Sequence, residues 1–136
     1  MASLRSALDT AMFNALNVAG VLAAASGGVY NTVAPAGAAP PYVVFQAVTK
    51  VDDYSFGARY AQATYQVIAV SRNPWPKEAA DIDDDIDTAL QDVALSITGY
   101  TALRCRREND IYFQEEVGGV LYHKIGGGYR IWADEA

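Results

Sequence analysis

Apolar positions open the chain at helical spacing. Leu4, Leu8, Ala11, Met12, Ala15 and Leu16 recur every three or four residues, and Ser3 is placed to cap the first turn. Val18, Val21 and Leu22 prolong the stripe until Ser26-Gly27-Gly28 stops it, and Gly20 predicts an end or kink in the regular helix. The stretch from Gly27 to Pro35 reads as a Gly-rich turn, a short extended step and the start of a Pro-bounded loop. Ala34 to Pro41, with three prolines and four alanines, predicts an ordered connection stiffened by fixed proline φ angles. The period then changes from helical to alternating. From Tyr42 to Val51, Val43, Phe45, Ala47 and Val51 point one way, while Tyr42, Gln46 and Lys50 point the other. Asp52 to Gly57 reads as a turn or an extended hairpin tip. Tyr60 to Val70 is the clearest strand, with Ala61, Ala63, Tyr65, Val67 and Ala69 on one side and Tyr60, Gln62, Thr64 and Gln66 on the other. Such alternation predicts an antiparallel sheet covered on one face only.

Asn73-Pro74-Trp75-Pro76 breaks the strand and precedes a helix from roughly Lys77 to Val93, striped by Ile82, Ile86, Ala89, Leu90 and Val93. Leu95 to Gly99 is a connector. Thr101 to Glu108 reads as a strand with Leu103 and Cys105 inward and Arg104 and Arg106 outward. Asn109-Asp110 marks a turn, and Ile111 to Val117 fits a strand or an ordered loop equally well. Val120–Ile125 and Tyr129–Trp132 are extended, with Gly118-Gly119 and Gly126-Gly127-Gly128 read as turns where glycine supplies positive φ. No internal repeat is present. The pattern predicts an α+β domain spanning 1–136, an antiparallel sheet of about four strands with two helices packed on one face.

Composition narrows the function classes. A chain of 136 residues, 51% hydrophobic, can bury roughly 68–70% of its unfolded surface in one domain. No apolar run approaches the ~20 residues that span a bilayer, and Asp9 interrupts the N-terminal stretch, so neither a membrane segment nor a signal peptide is expected. The single cysteine, Cys105, excludes an intrachain disulfide and fits a reducing cytoplasm. Sixteen acidic against ten basic side chains give a formal charge of −6. That balance disfavours a dedicated nucleic-acid binder, whose affinity comes from Lys and Arg on phosphates, yet permits a surface past which DNA slides.

The candidate chemistry is thin. Asp81, Asp83, Asp85 and Asp87 have the alternation of a calcium loop, but Ile86 stands where that loop needs glycine, and Asp92 where it needs a bidentate Glu. The isoleucines match a helix stripe instead. Cys105 and the lone His123 are the material of a nucleophilic pair, yet nothing in the sequence places them together, and no third orienting group stands out. The glycine clusters lack the Lys-Ser/Thr and following helix of a phosphate loop. Catalytic residues, cofactor and metal are therefore not expected. Arg104, Arg106 and Arg107, joined by Lys50 and Arg130, form the one basic cluster. Given the net charge, subunit contact or plain solvated charge is favoured over nucleic acid or phosphate. Trp75 and Trp132 read either as core edge or as interface anchors.

Several segments together resemble the tail-completion (tail-terminator, head-to-tail joining) proteins of long-tailed bacteriophages. They are Gly27-Gly28-Val29-Tyr30, Pro40-Pro41-Tyr42-Val43-Val44-Phe45, the strand Tyr60–Val70, the helix ending Asp87-Thr88-Ala89-Leu90, and Tyr122-His123-Lys124 with Tyr129-Arg130-Ile131-Trp132. The resemblance implies a non-enzymatic α+β virion subunit that assembles in the host cytoplasm as a six-membered ring. Such a ring caps the tail tube protein and joins it to the head connector protein, with DNA passing through unbound and no membrane involved. The long Ile111–Val117 segment and the glycine triplet depart from the family. A ring needs two different patches on each subunit. The expected contact residues are the hairpin tip (Asp52, Asp53, Tyr54, Phe56 and Arg59), Trp75, and the basic face of Arg104, Arg106 and Arg130 opposite an acidic helix. A small cytoplasmic ligand-binding domain or enzyme of α+β type is the rival reading, and a nucleic-acid module comes third.

Overall fold

The computed structural model describes residues 4–55, 58–93, 95, 97 and 99–135, with side chains described except at 4, 5, 50–55, 58–61, 102, 103 and 135. The chain runs α1 (Leu4–Leu16), α2 (Ala19–Leu22), β1 (Val29–Asn31), β2 (Tyr42–Ser55), β3 (Ala58–Ser71), α3 (Lys77–Leu90), β4 (Tyr100–Val117) and β5 (Val120–Glu135). The five described strands form a single sheet in the order β1-β2-β3-β5-β4. All neighbours pair antiparallel except β1 and β2, which run parallel with Tyr30 opposite Val44. The α+β class is as expected, but there are five strands rather than four, three helices rather than two, and the sheet is mixed. The three-residue β1 was too short to carry a period of its own.

The helices cover one face. Leu8, Met12 and Leu16 of α1 and Ile82, Ile86 and Leu90 of α3 are buried against Phe45, Tyr65, Val67, Tyr129 and Ile131 of the sheet. Full burial of such a side chain contributes about 1.5–3 kcal/mol, so this layer outweighs any surface ion pair described below. Tyr65 also donates a 2.5 Å hydrogen bond to Asp9, fixing α1 on β3. The helical run breaks at Asn17–Val18, where Val18 is extended (φ −124°, ψ 157°), and Gly20 lies inside α2 rather than ending the helix. α3 stops at Leu90, short of Val93. Leu95 and Ile97, placed in a connector, are buried and join the core.

Bulges account for the other departures. Between Ala47 and Thr49 the β2–β3 register slips, setting Lys50 opposite Ala63 and Val51 opposite Gln62. The alternation begun by Val43 and Phe45 therefore does not run on to Val51, because one extra residue reverses every later parity. Asn109-Asp110 is no turn either. β4 continues through it with slips after Ala102 and after Arg107, and Ile111–Val117 is strand.

Gly126-Gly127-Gly128 likewise lies within β5. A side chain at Gly126 would collide with the Val67 backbone, one at Gly127 would stand 2.7 Å from the Arg107 guanidinium, and one at Gly128 would meet the Asn109 amide. The triplet thus serves close packing. Only Gly118-Gly119, at φ +60° and +81°, fills the turn role.

Candidate assembly surfaces

The sheet places opposite chemistry on its two sides. On the helix side, Arg107 projects toward α3 because it shares the parity of Cys105, not of Arg104 and Arg106. Its Nη1 and Nη2 donate to the two carboxylate oxygens of Asp83 at 2.9 and 2.8 Å, and Nη2 also donates to the Gly126 carbonyl at 2.7 Å. Nη1 donates to the Tyr129 hydroxyl, which in turn donates to Asp87 at 3.0 Å, and Nε pairs with Asp110 at 2.7 Å. Side-chain exposures of 16% and 13% make Arg107–Asp83 a buried pair, bidentate and fully hydrogen-bonded.

Burial acts to lower the Arg107 pKa, but the hydrogen bonds and charge of Asp83 and Tyr129 outweigh it and hold the guanidinium above its ordinary value. The Tyr129 phenol is raised chiefly by burial, against the opposing pull of Arg107. Asp84 and Asp87 remain on the outer side of this network, beside an open hollow of about 410 Å3 that Ile111 and Tyr112 also line.

The expected basic cluster is thereby divided. Arg107 is structural, whereas Arg104 and Arg106 are exposed on the bare face, where Arg106 sits opposite Arg130 and Arg104 opposite Trp132. Arg106 pairs with Asp92 at 3.1 Å and Arg130 with Glu108 at 2.6 Å, and Arg130 lies 5.8 Å over the Trp132 ring. Arg104 makes no ion pair among the described residues. Lys50, placed with this cluster from sequence, is among the residues whose side chains are not described. Sequence reasoning missed the Arg107–Asp83 pair, although both signals were present. Residue 107 has inward strand parity, and Asp83 falls on the stripe of Ala79, Ile82, Ile86 and Leu90. The run of acids from Asp81 to Asp87 is helical, as its isoleucines predicted.

Trp75 is 74% exposed, so it is no part of the core edge. Its loop is held by Asn73, whose Oδ1 accepts from the Trp75 amide at 3.0 Å, and it borders an open hollow with Ala24, Lys77 and Asp81. The β2–β3 ladder carries the predicted hairpin to its end, pairing Asp52 with Ala61, Asp53 with Tyr60, Tyr54 with Arg59 and Ser55 with Ala58. Phe56 and Gly57 lie outside the described residues, as do the side chains of Asp52, Asp53, Tyr54 and Arg59.

Cys105 and His123 are not brought together. Cys105 pairs across from Ile131, eight residues along β5 from His123, a separation of roughly 26 Å at ~3.3 Å per residue. Burial, followed by the charges of Asp92 and Asp87, pushes the Cys105 thiol up to about 12. His123 is buried at the start of β5, its Nε2 3.2 Å from the Pro74 carbonyl and its Nδ1 without a partner among the described residues.

Comparison with known proteins identifies the family and the fold. Residues 10–123 match the family of tail completion protein gp17, and the chain belongs to that family, a structural component of bacteriophage tails. In fold it is similar to a chain of the virion of a native gene transfer agent particle, at a TM-score of 0.84 and 16% identity. That match covers 98% of this chain and 99% of the other. A second solved chain is similar at a TM-score of 0.53 and 15% identity, over 97% of this chain and 92% of that one. No curated relative matches in sequence.

Proposed function

We propose that this tail-completion protein assembles as a ring, hexameric by resemblance, that caps the finished tail tube and joins it to the head connector. The segregation of surface charge is the observation that carries the reading. α3 presents Asp81, Asp84 and Asp85 on the helix side, while Arg104, Arg106 and Arg130 occupy the bare sheet face behind it. Two different patches on opposite sides of one subunit are what a heterologous, ring-closing contact requires. Complementary charge fixes orientation and speeds encounter, while a desolvated aromatic such as Trp75 or Trp132 supplies binding energy. The β2–β3 hairpin tip, with Asp52, Asp53, Tyr54, Phe56 and Arg59, is assigned to contact with the tube. DNA passes through the lumen without specific binding, consistent with the net charge of −6. The role is structural, within one domain spanning 1–136.

Particle mass by light scattering, negative-stain imaging and completion of tails lacking this protein test the reading together. Rings that restore head joining are expected. A protein that stays monomeric at high concentration and never binds tail tubes would sink it.

A further inference from the structure

Ten large hydrophobic side chains stand exposed among the described residues, and five of them, Tyr112, Phe113, Val117, Val120 and Leu121, fall within ten consecutive positions. They form the end of the β4–β5 hairpin. The last rung between β5 and β3 is His123 with Ser71. Beyond it Tyr122, Leu121 and Val120 pair only with Glu115, Glu116 and Val117, so a two-stranded ribbon overhangs the sheet. A lone ribbon is marginal in water, and its exposed apolar side chains are divided between its faces, Leu121 with Glu116 on the helix side and Val117 with Val120 on the bare side. Its charge is negative. Glu115 is matched by Lys124 at 3.1 Å and Asp110 by Arg107, but Glu116 is exposed and has no ion pair among the described residues.

The complementary surface lies on the same molecule at the far end of the bare face. There Arg104 stands exposed, with no ion pair among the described residues, opposite Trp132, with Arg106 and Arg130 alongside. Ten residues of β5 separate Trp132 from Tyr122, roughly 33 Å along a strand, so ribbon and patch of one chain cannot meet. Between copies they can. We propose that the overhanging β4–β5 ribbon of one copy docks on the Arg104–Trp132 patch of the next, Glu116 facing Arg104 and Leu121, on the same face as Glu116, covering Trp132. This rests on the ring reading but gives the Arg104 end of the basic face the ribbon, in place of the α3 acids, as its neighbour in the next copy. Because ribbon and patch differ and lie at opposite ends of the sheet, the contact is head-to-tail and closes when the rotation between copies allows.

The test uses the full chain with one cysteine added to each side, Val117→Cys and Thr101→Cys, both exposed positions. Cys105 stays silent because it is buried. Mixed at high concentration with a short bis-maleimide, the two variants should give a crosslinked heterodimer, and a chain carrying both should give a ladder up to the full particle. Glu116→Arg and Arg104→Glu should each weaken self-association on the order of tenfold, and the pair combined should recover most of it. Leu121→Ser, on the face of Glu116, should weaken assembly further in a monomer that still melts cooperatively.

Wild-type rings that give no hetero-crosslink overturn the ribbon contact and leave the ring reading standing. Ribbon variants that form normal rings but fail to complete tails overturn it too, and place the tube protein on the ribbon. A wild type that neither assembles nor completes tails overturns both.

Discussion

The middle of the sheet and the overhanging ribbon are parts of the same two strands, yet they follow different rules. Where Cys105 lies opposite Ile131 the inward side chains are buried in the core, and the inward charge of Arg107 is satisfied by Asp83, Tyr129 and Gly126. Past the last β3 rung at His123 the ribbon runs on alone, and Glu116 and Leu121 on that side stand in solvent with Val117 and Val120 on the other. The middle is specified by what it packs against within the chain. The ribbon makes sense through something outside it. Substitutions should therefore damage folding in one region and assembly in the other.

The largest effect is expected at Gly126. A valine there would drive into the Val67 backbone, which cannot retreat without breaking the β3–β5 ladder, so a loss of more than ~4 kcal/mol and little folded protein should result. A cooperative melt close to wild type for Gly126→Val would mean the strands pack less tightly than described.

Arg107→Met comes next. It leaves the Asp83 carboxylate buried without its partner, which costs about 3 kcal/mol or more, a fall of roughly 10 °C in Tm. Adding Asp83→Leu should recover much of that loss, since an apolar pair of similar volume removes the unpaired charge. A double variant no better than the single would show that the network does more than neutralise Asp83.

Cys105 should affect stability only in alkali. Its folded pKa of about 12 lies above its ordinary value of 9.0, so the neutral thiol favours the folded state fully below pH 9. That contribution is lost as pH rises from 9 toward 12, where the unfolded thiol ionises and the folded one does not. Iodoacetamide at pH 9 should label unfolded protein and spare native protein, whereas Cys105→Ala should flatten this part of the stability profile. Rapid native labelling would contradict the burial.

The ribbon sharpens the contrast from the other side. Val117→Ser should change monomer stability by less than ~0.5 kcal/mol by thermal melt, because Val117 is already 53% exposed. A drop comparable to that of Arg107→Met would make the ribbon part of the core. Least of all should calcium matter. Millimolar calcium should leave Tm within a degree, since Asp81 to Asp87 lie on the helix α3, and a saturable rise absent with magnesium would contradict that geometry.

What could be read from sequence follows the same division. The stripes of α1 and α3 and the alternation of β3 were legible because each position answers to a partner at fixed period. Gly126 to Gly128 misled because glycine has two uses, positive φ and close approach, and only the neighbouring strand decides between them. The bulges after Ala47, Ala102 and Arg107 were illegible for a related reason. An inserted residue leaves no local mark and shows only in the register with its neighbour. Ile111 to Val117 stayed open because both its faces are wet, so no alternation was imposed on it. The basic patch was identified by composition, but the inward member, Arg107, separated from the others only once strand parity was applied.

Just past α3, Asp92 adopts a left-handed φ of +56°, and its amide donates to the Cys105 carbonyl at 2.8 Å while the Gln91 side chain accepts from the Arg107 amide. The outermost strand is thus sealed at mid-length by two residues of its own chain. Left open, that stretch of edge would offer its backbone groups to any strand of another copy. At that point recruitment falls to side chains, which can be matched to one neighbour, and not to the backbone, which accepts any.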